Sequence, residues 1–556
     1  MKKNIIFIIL ATFTILFSNS CTKDFENINV DPSIVSDVDV RFLFTSSSEK
    51  LQTVRVNEWT WEDLEQFLRV SQLLTAQTYE LSGAVNTRYN YFYTYILPNL
   101  FEMRRLISTK ADKEKYQKIS AATYIVQIFQ GLRVTDVNGS IPYTEANQGR
   151  NSAIYNPVYD NQKTLFDTWL KELDSSIQIL ESSLADQVSF GNNDIFYKGD
   201  WTKWIKLANS LKLRIAARYQ NPDQTKAAQI FNEVMTDATG PISSIDDQMT
   251  YNNPNYMPFA TTGYMIDYRS VRYGVETVVD YMKSTGDPRL GIYYSKNDLV
   301  GSFQDTLTKY GKTLPAWCNL GDPLIMYQGG PADFQSNPDK STYFSNQFDA
   351  GGANRFWLIS PINRTFFAPQ INNGTGKFVD VLVSYAEVCL HISEFIEKGY
   401  GSGYGTSKEW YDKGVHASAT TMNNIAVVAK STTVDNISAL VDTYLTNPKV
   451  ALNGTNNLEK IYIQELLNFY RQGNEAFTLV RRTGYPKFGS TLLAREVMSE
   501  TLYRRFWLTD PGEVNRANFN AAMSEEGFTP SDQSLASLSS QRIWFDINSP
   551  DFGNGN

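Results

Sequence analysis

The sequence predicts a mainly α fold, built from about four helical hairpins separated by long irregular loops. Two observations carry that reading. Apolar residues recur at three- and four-residue steps in paired windows, and the stretch between them is rich in Pro, Gly, Asn and aromatic residues with little helical period.

Taken in chain order, residues 1–20 have the layout of a secretion signal. Lys2 and Lys3 form a basic start, the run from Ile5 to Phe17 is apolar except for Thr12 and Thr14, and Ser18, Asn19 and Ser20 lead into Cys21. A helix needs about 20 apolar residues to cross a hydrocarbon core of roughly 30 Å, so cleavage is expected rather than anchoring by a span. Cys21 at the cut point is the expected lipid attachment site, which would leave the mature chain held on a membrane. Residues 21–40 read as a lipidated tether, polar and without period, and residues 41–556 as a single domain.

Within that domain the first hairpin covers about 91–133, where Tyr116, Ile119, Ala122, Val126, Phe129 and Leu132 mark one apolar stripe. The second covers about 163–219. The third, about 378–424, opens on the clearest stripe, Phe378, Val381, Leu382, Tyr385, Val388, Cys389, Ile392 and Phe395, which reads as one helix closed by Gly399. The fourth, about 458–484, ends sharply at Gly484 and Pro486. Paired helices of this length suggest packing of tetratricopeptide type, although the linkers are too long for a regular array. The loop-rich stretch of about 240–376 is the expected ligand-binding region, because long irregular chain in a compact protein is usually functional surface.

Composition narrows the function. Loss of Lys2 and Lys3 takes 51 basic residues to 49 against 59 acidic, a net charge of −10, and leaves no basic stripe for nucleic acid. With Cys21 lipidated, only Cys318 and Cys389 remain; a disulfide between them is open, but Cys389 lies on an apolar stripe and reads as a buried small hydrophobe. His391 and His416 have no metal-like spacing, and His391 reads as a core histidine. Asp136, Asn138 and Gly139 begin like a calcium loop but lack the later ligands, so a structural turn is expected and no metal or other cofactor is assigned. Arg481 and Arg482 read as ion-paired scaffold, and Trp204 and Trp544 as core.

Sugars are held by aromatic rings against their C–H faces while amides, carboxylates and guanidinium groups meet the hydroxyls. Two stretches have that mixture. Asn86, Arg88, Tyr89 and Tyr91 lie close together, and the irregular middle carries Tyr264, Arg269, Arg272, Tyr273, Trp317, Asn319 and Tyr327. Each has a plain alternative: Trp317 buried under its loop, and the Tyr89 cluster packed at a helix start. No catalytic residue stands out; paired carboxylates of a glycoside hydrolase are a spatial fact that sequence leaves open.

Seven local signatures in order resemble the SusD/RagB nutrient-binding outer membrane lipoproteins of the Bacteroidetes, in their SusD-like branch. They are the start Cys21 to Pro32, the turn Thr135-Asp-Val-Asn-Gly-Ser-Ile-Pro-Tyr-Thr-Glu-Ala146, the segment Lys203 to Arg218, Asp287-Pro-Arg-Leu290, Ser384-Tyr-Ala-Glu-Val388, Arg481-Arg-Thr-Gly-Tyr-Pro486 and Arg542-Ile-Trp-Phe-Asp546. The resemblance implies a SusD-like fold of tetratricopeptide-like helix pairs. It also implies a noncatalytic protein that captures glycans, or in some members peptides, and passes them to a SusC-like TonB-dependent transporter. Asp24 and Glu26 resemble the family's signal for the outer face of the outer membrane. A surface glycoside hydrolase and a non-binding scaffold of an outer membrane complex are the alternative readings.

Overall fold

Several of the longer helices begin where a side chain takes over an amide that the helix itself cannot satisfy. In the computed structural model, which describes residues 39–51, 56–76, 86–252, 272–368 and 376–555, Asn161 accepts from the Thr164 amide at 2.9 Å and opens Gln162–Glu181. Asp200 accepts from Lys203 N at 3.2 Å and opens Trp201–Tyr219, and Asp223 does the same for Gln224–Thr236. Thr406 and Glu409 cap Ser407–Ala429 reciprocally. The fold class read from the sequence holds: the chain is mainly helical, and the strands among the described residues form three short antiparallel ribbons.

The principal helices are α1 (Arg41–Glu49), α2 (Leu97–Thr109), α3 (Gln117–Asn138), α4 (Gln162–Glu181), α5 (Trp201–Tyr219), α6 (Gln224–Thr236), α7 (Tyr385–Glu397), α8 (Ser407–Ala429), α9 (Asn457–Asn468) and α10 (Gly473–Thr483). A helical segment, Val56–Phe67, wound with π geometry, runs into Leu68–Val70 ahead of strand β1 (Leu74–Ala76). Helix α3 packs against both α2 and α4, α5 against α4 and α6, and α7 against α8 and α9. Close approach of α3 and α4 depends on Gly131, where a Cβ would stand 2.8 Å from the Trp169 ring.

Two large apolar cores result. One gathers α1 to α6 around Phe129, Trp169, Trp204 and Leu211, and the other gathers Trp59, Phe67, Phe366, Tyr470 and Phe477 with α8 to α10. Buried charge ties them together. Arg218 of α5 meets Asp136 of α3 at 2.7 Å and Glu475 of α10 at 2.7 Å, Arg214 pairs with Glu387 of α7, and Arg482 of α10 binds Glu394 at 2.6 Å and Glu465 at 2.9 Å. Arg482 is therefore ion-paired scaffold, as its sequence position suggests, and Arg481 is buried over the Phe477 ring at 4.0 Å.

Four expectations are corrected or sharpened. The stripe from Phe378 does not form one helix: Asp380–Val383 is a fully buried strand, β4, paired with β2 (Met249–Tyr251), and α7 starts only after Ser384 accepts from Glu387 N at 3.1 Å. Asp136 and Asn138 belong to the last turn of α3, and the turn itself falls at Gly139, with φ of 76°. The stretch from 240 to 376 contains helices of eight to ten residues, Glu276–Thr285, Phe303–Tyr310 and Pro338–Ser345, each too short to display a helical period. Cys318 and Cys389 are buried free thiols. Among the described residues, no helix is long and apolar enough to cross a membrane.

Candidate functional site

The cluster near residue 90 divides by helical geometry. Thr87–Tyr91 continues through Phe92–Ile96 into α2, and residues two apart on a helix point about 200° apart, so alternate tyrosines face opposite ways. Tyr89 and Tyr93 turn inward, with ring centroids 4.6 Å apart and the Tyr93 hydroxyl donating to Pro142 O at 2.7 Å. Tyr91 and Tyr95 turn outward, 5.1 Å apart, with Lys50 Nζ 5.6 Å over the 43% exposed Tyr95.

Arg88 is not placed to touch a ligand. Its guanidinium is 1% exposed and donates to Glu62 Oε2 at 2.5 Å and Asp63 Oδ1 at 2.8 Å, with Glu58 Oε1 at 3.3 Å. Asn86 is likewise interior, exchanging amide hydrogen bonds of 2.8 and 3.2 Å with Asn138. Both have the residue types of a sugar site, but their partners lie tens of residues away in the chain, so sequence spacing gives no sign that they are spoken for.

The second group is also split. Tyr264 and Arg269 lie outside the described residues, as does Cys21. Arg272 on β3 (Arg272–Gly274) is buried and paired with Glu65, whose carboxyl burial pushes up to about 7. Tyr273 is buried against Phe344, its hydroxyl donating to Phe344 O at 2.5 Å. Tyr327 is 9% exposed and packs beside Gly291, where a Cβ would stand 2.9 Å from its hydroxyl. What reaches the surface is the loop of Trp317 and Asn319. Trp317 is half-buried, edge-on to Tyr343 at 5.8 Å, with Lys340 Nζ 4.8 Å over its ring; Lys340 in turn is fixed by Glu276 at 2.8 Å. Asn319 is exposed and accepts from Gly321 N at 2.9 Å, which holds the loop.

The structure also shows a place that no sequence signal marked. Two adjoining hollows of about 490 and 480 Å³ open between α2, α3 and α4. Tyr124, which lines both, sits off the apolar stripe of its helix, and only the packing of three helices makes a hollow in front of it. Among the described residues there is no group of three or more His, Cys, Asp or Glu side chains spaced to hold a metal ion.

The chain is a helical scaffold whose exposed rings lie on loops and outward helix faces. The chain belongs to the SusD-like family described as starch-binding and associating with the outer membrane, which it matches over residues 32–507. Among solved structures it is similar to a chitin-binding protein, with a TM-score of 0.68 at 20% identity, covering 91% of this chain and 100% of the other. It is also similar to a SusD homologue from Bacteroides fragilis (TM-score 0.66, 21% identity, 92% and 99% covered). A chitin-binding SusD homologue from Flavobacterium johnsoniae gives a TM-score of 0.64 at 20% identity, with 92% and 100% covered. At these identities the likeness is one of fold. No curated protein sequence matches the chain.

Proposed function

We propose that this protein is a cell-surface lipoprotein that captures glycan segments and hands them to a SusC-like TonB-dependent transporter, without cleaving them. Membership of a starch-binding, outer-membrane family carries the reading, and the Trp317 loop supplies the chemistry. An indole half out of the surface, with an ammonium over one face and an exposed amide two residues on, is suited to a pyranose ring and its hydroxyls. Lipid on Cys21 would hold the body at the membrane while the tether to residue 40 lets it swing onto and off its transporter.

Isothermal titration of the full-length protein in detergent against maltohexaose, cellohexaose, chitohexaose and a mixed peptide pool tests the reading. Binding of at least one glycan is expected, with Trp317→Ala weakening it about tenfold and no reducing ends released on long incubation. Binding of peptide alone would replace glycan with peptide as the cargo, and released reducing ends would make the protein a hydrolase. Separately, Cys21→Ala is expected to move the protein from the membrane pellet to the soluble fraction after cell breakage. Retention in the pellet would remove the lipid from the account.

A further inference from the structure

The two hollows between α2, α3 and α4 share four lining residues, Arg104, Tyr124, Thr168 and Glu172, so they form one continuous groove. Each volume falls within the range of roughly 300–1,000 Å³ typical of small-molecule sites. On α3 the groove is lined by Gln117, Ser120, Ala121, Tyr124 and Gln127, which recur at three- and four-residue steps on the face turned away from Ile119, Val126 and Phe129. A surface helix would ordinarily leave that face to water; here α2 and α4 rise on both sides of it.

We propose that this groove is a second carbohydrate-binding site, separate from the Trp317 loop, which takes a short neutral oligosaccharide across Tyr124 and Phe101 with Glu172 meeting its hydroxyls. The proposal rests on the glycan reading above and adds a second place where glycan is held.

Lys113 and Lys171 line the groove as exposed side chains, while its fixed polar groups favour a neutral ligand over a charged one. Arg104 is no clamp for an anion: its guanidinium lies 4.2 Å over the Tyr124 ring, while Nη1 donates to Thr123 Oγ1 and Nη2 to Gln127 Oε1, both at 2.8 Å. Two of the five N–H donors of the fork are thus spent on neutral groups that fix the ring. Glu172 is held on one side only. Tyr143 donates to its Oε2, and Gln127 Nε2 donates to the Tyr143 hydroxyl at 2.5 Å, so a relay of three side chains sets the carboxyl in place. Its Oε1 has no hydrogen-bond partner among the described residues. Burial pushes this carboxyl up to about 7, so near neutral pH it serves as donor as well as acceptor, which suits a hydroxyl better than an ammonium. Ser120 and Ser175 add hydroxyls to one hollow, and Phe101, half-buried, adds a second ring to the other. Rings, a pre-set carboxyl, an amide relay and hydroxyls in one groove form a set for sugar recognition. An amphipathic helix would instead need a continuous apolar floor, which Gln117, Ser120 and Gln127 interrupt.

The test reads the groove directly. Gln178 is exposed, three residues along α4 from Ser175 and outside the lining, and Cys318 and Cys389 are buried, so a Gln178→Cys protein accepts an environment-sensitive dye beside the groove. Full-length labelled protein in detergent is titrated with maltohexaose, cellohexaose and chitohexaose, in parallel with isothermal titration of unlabelled protein. A saturable change in dye emission is expected with at least one hexaose, abolished by Tyr124→Ala and weakened about tenfold by Glu172→Gln. Trp317→Ala should leave it in place. Should Tyr124→Ala fail to fold, Glu172→Gln carries the test, since the amide retains size and the Tyr143 contact. If calorimetry detects binding that Trp317→Ala removes while the dye stays silent, the groove is overturned and the glycan reading stands. If neither method detects any hexaose, both fall.

Discussion

Replacing Arg218 with alanine is expected to lower the unfolding free energy by about 3–5 kcal/mol, seen as a large fall in the urea midpoint. The side chain is 1% exposed and its Nη2 serves Asp136 and Glu475 at once, 2.7 Å from each, while Nη1 donates to Arg214 O at 3.2 Å. Alanine would leave Asp136, 0% exposed, only the neutral Asn474 at 3.2 Å and Thr478 at 3.5 Å, and Glu475 the more distant Arg214 at 3.6 Å. A buried carboxylate without its partner loses hydration and recovers little in return. Arg218→Lys is expected to restore only part of the loss, because an ammonium keeps the charge between the carboxylates but not the fork by which Nε and Nη2 hold both oxygens of Asp136, at 3.3 and 2.7 Å. Lys163→Ala provides the contrast. It breaks a pair whose lysine is 59% exposed, and water and entropy leave such a pair with a contribution of about 0.5 kcal/mol or less. Equal effects of Arg218→Ala and Lys163→Ala would mean that the buried charges do not join the two cores.

The same cluster explains what the sequence made legible. A long stripe with a capping residue is readable because both signals are local. Val388, Cys389, Ile392 and Phe395 are buried along α7, and Gly399, with φ of 74°, closes it within twelve residues. The strand Asp380–Val383 was not readable from its apolar run, since a fully buried strand and a buried helix turn present the same residues; only Ser384 followed by Glu387 at the third helical position marked where the helix begins.

For site residues the sequence shows the chemistry of a side chain but not its partners. Arg88 and Arg272 have the groups a sugar needs, but each has a carboxylate partner supplied from a distant segment, Glu62 and Glu65 respectively. Trp317 kept its exposure because its loop lies over a small satellite core, around Leu299, Phe303 and Leu358, that it only half joins. The α2–α4 groove could not be named from sequence, as a hollow is a property of three helices and not of any one.

Stability is expected to peak on the acid side, at about pH 4–5, and to fall as the pH rises from there to 7. Around Arg88 and Arg133 the fold gathers three carboxylates, Glu58, Glu62 and Asp63, against two guanidinium groups. One proton relieves the excess, and burial pushes Asp63 up to about 7 from an ordinary 3.8. Glu65, Glu172 and Glu526 are also raised to about 7, chiefly by desolvation. Acids whose folded values are raised contribute stability that is fully present below their unfolded values and is lost as the pH climbs through the folded ones. His391 works the other way: buried beside Glu465 and Glu387, it is depressed to about 4 from 6.5, so its contribution is present above 6.5 and lost as the pH falls to 4. Glu394 and Glu475, held at about 2 by their arginines, add to the loss only below about 4.5. Between about 4.5 and 6.5 the folded chain therefore holds more extra protons than the unfolded one, each with a slope of up to about 1.4 kcal/mol per pH unit. Thermal midpoints taken from pH 3 to 8 should rise, crest and decline in that order. Asp63→Asn removes one of the protons, so its midpoint should gain on the natural protein as the pH rises from 4 to 8 and converge with it only below about pH 4. A midpoint that climbs steadily from pH 5 to 8 would show that the carboxyls around Arg88 are fully ionised in the fold.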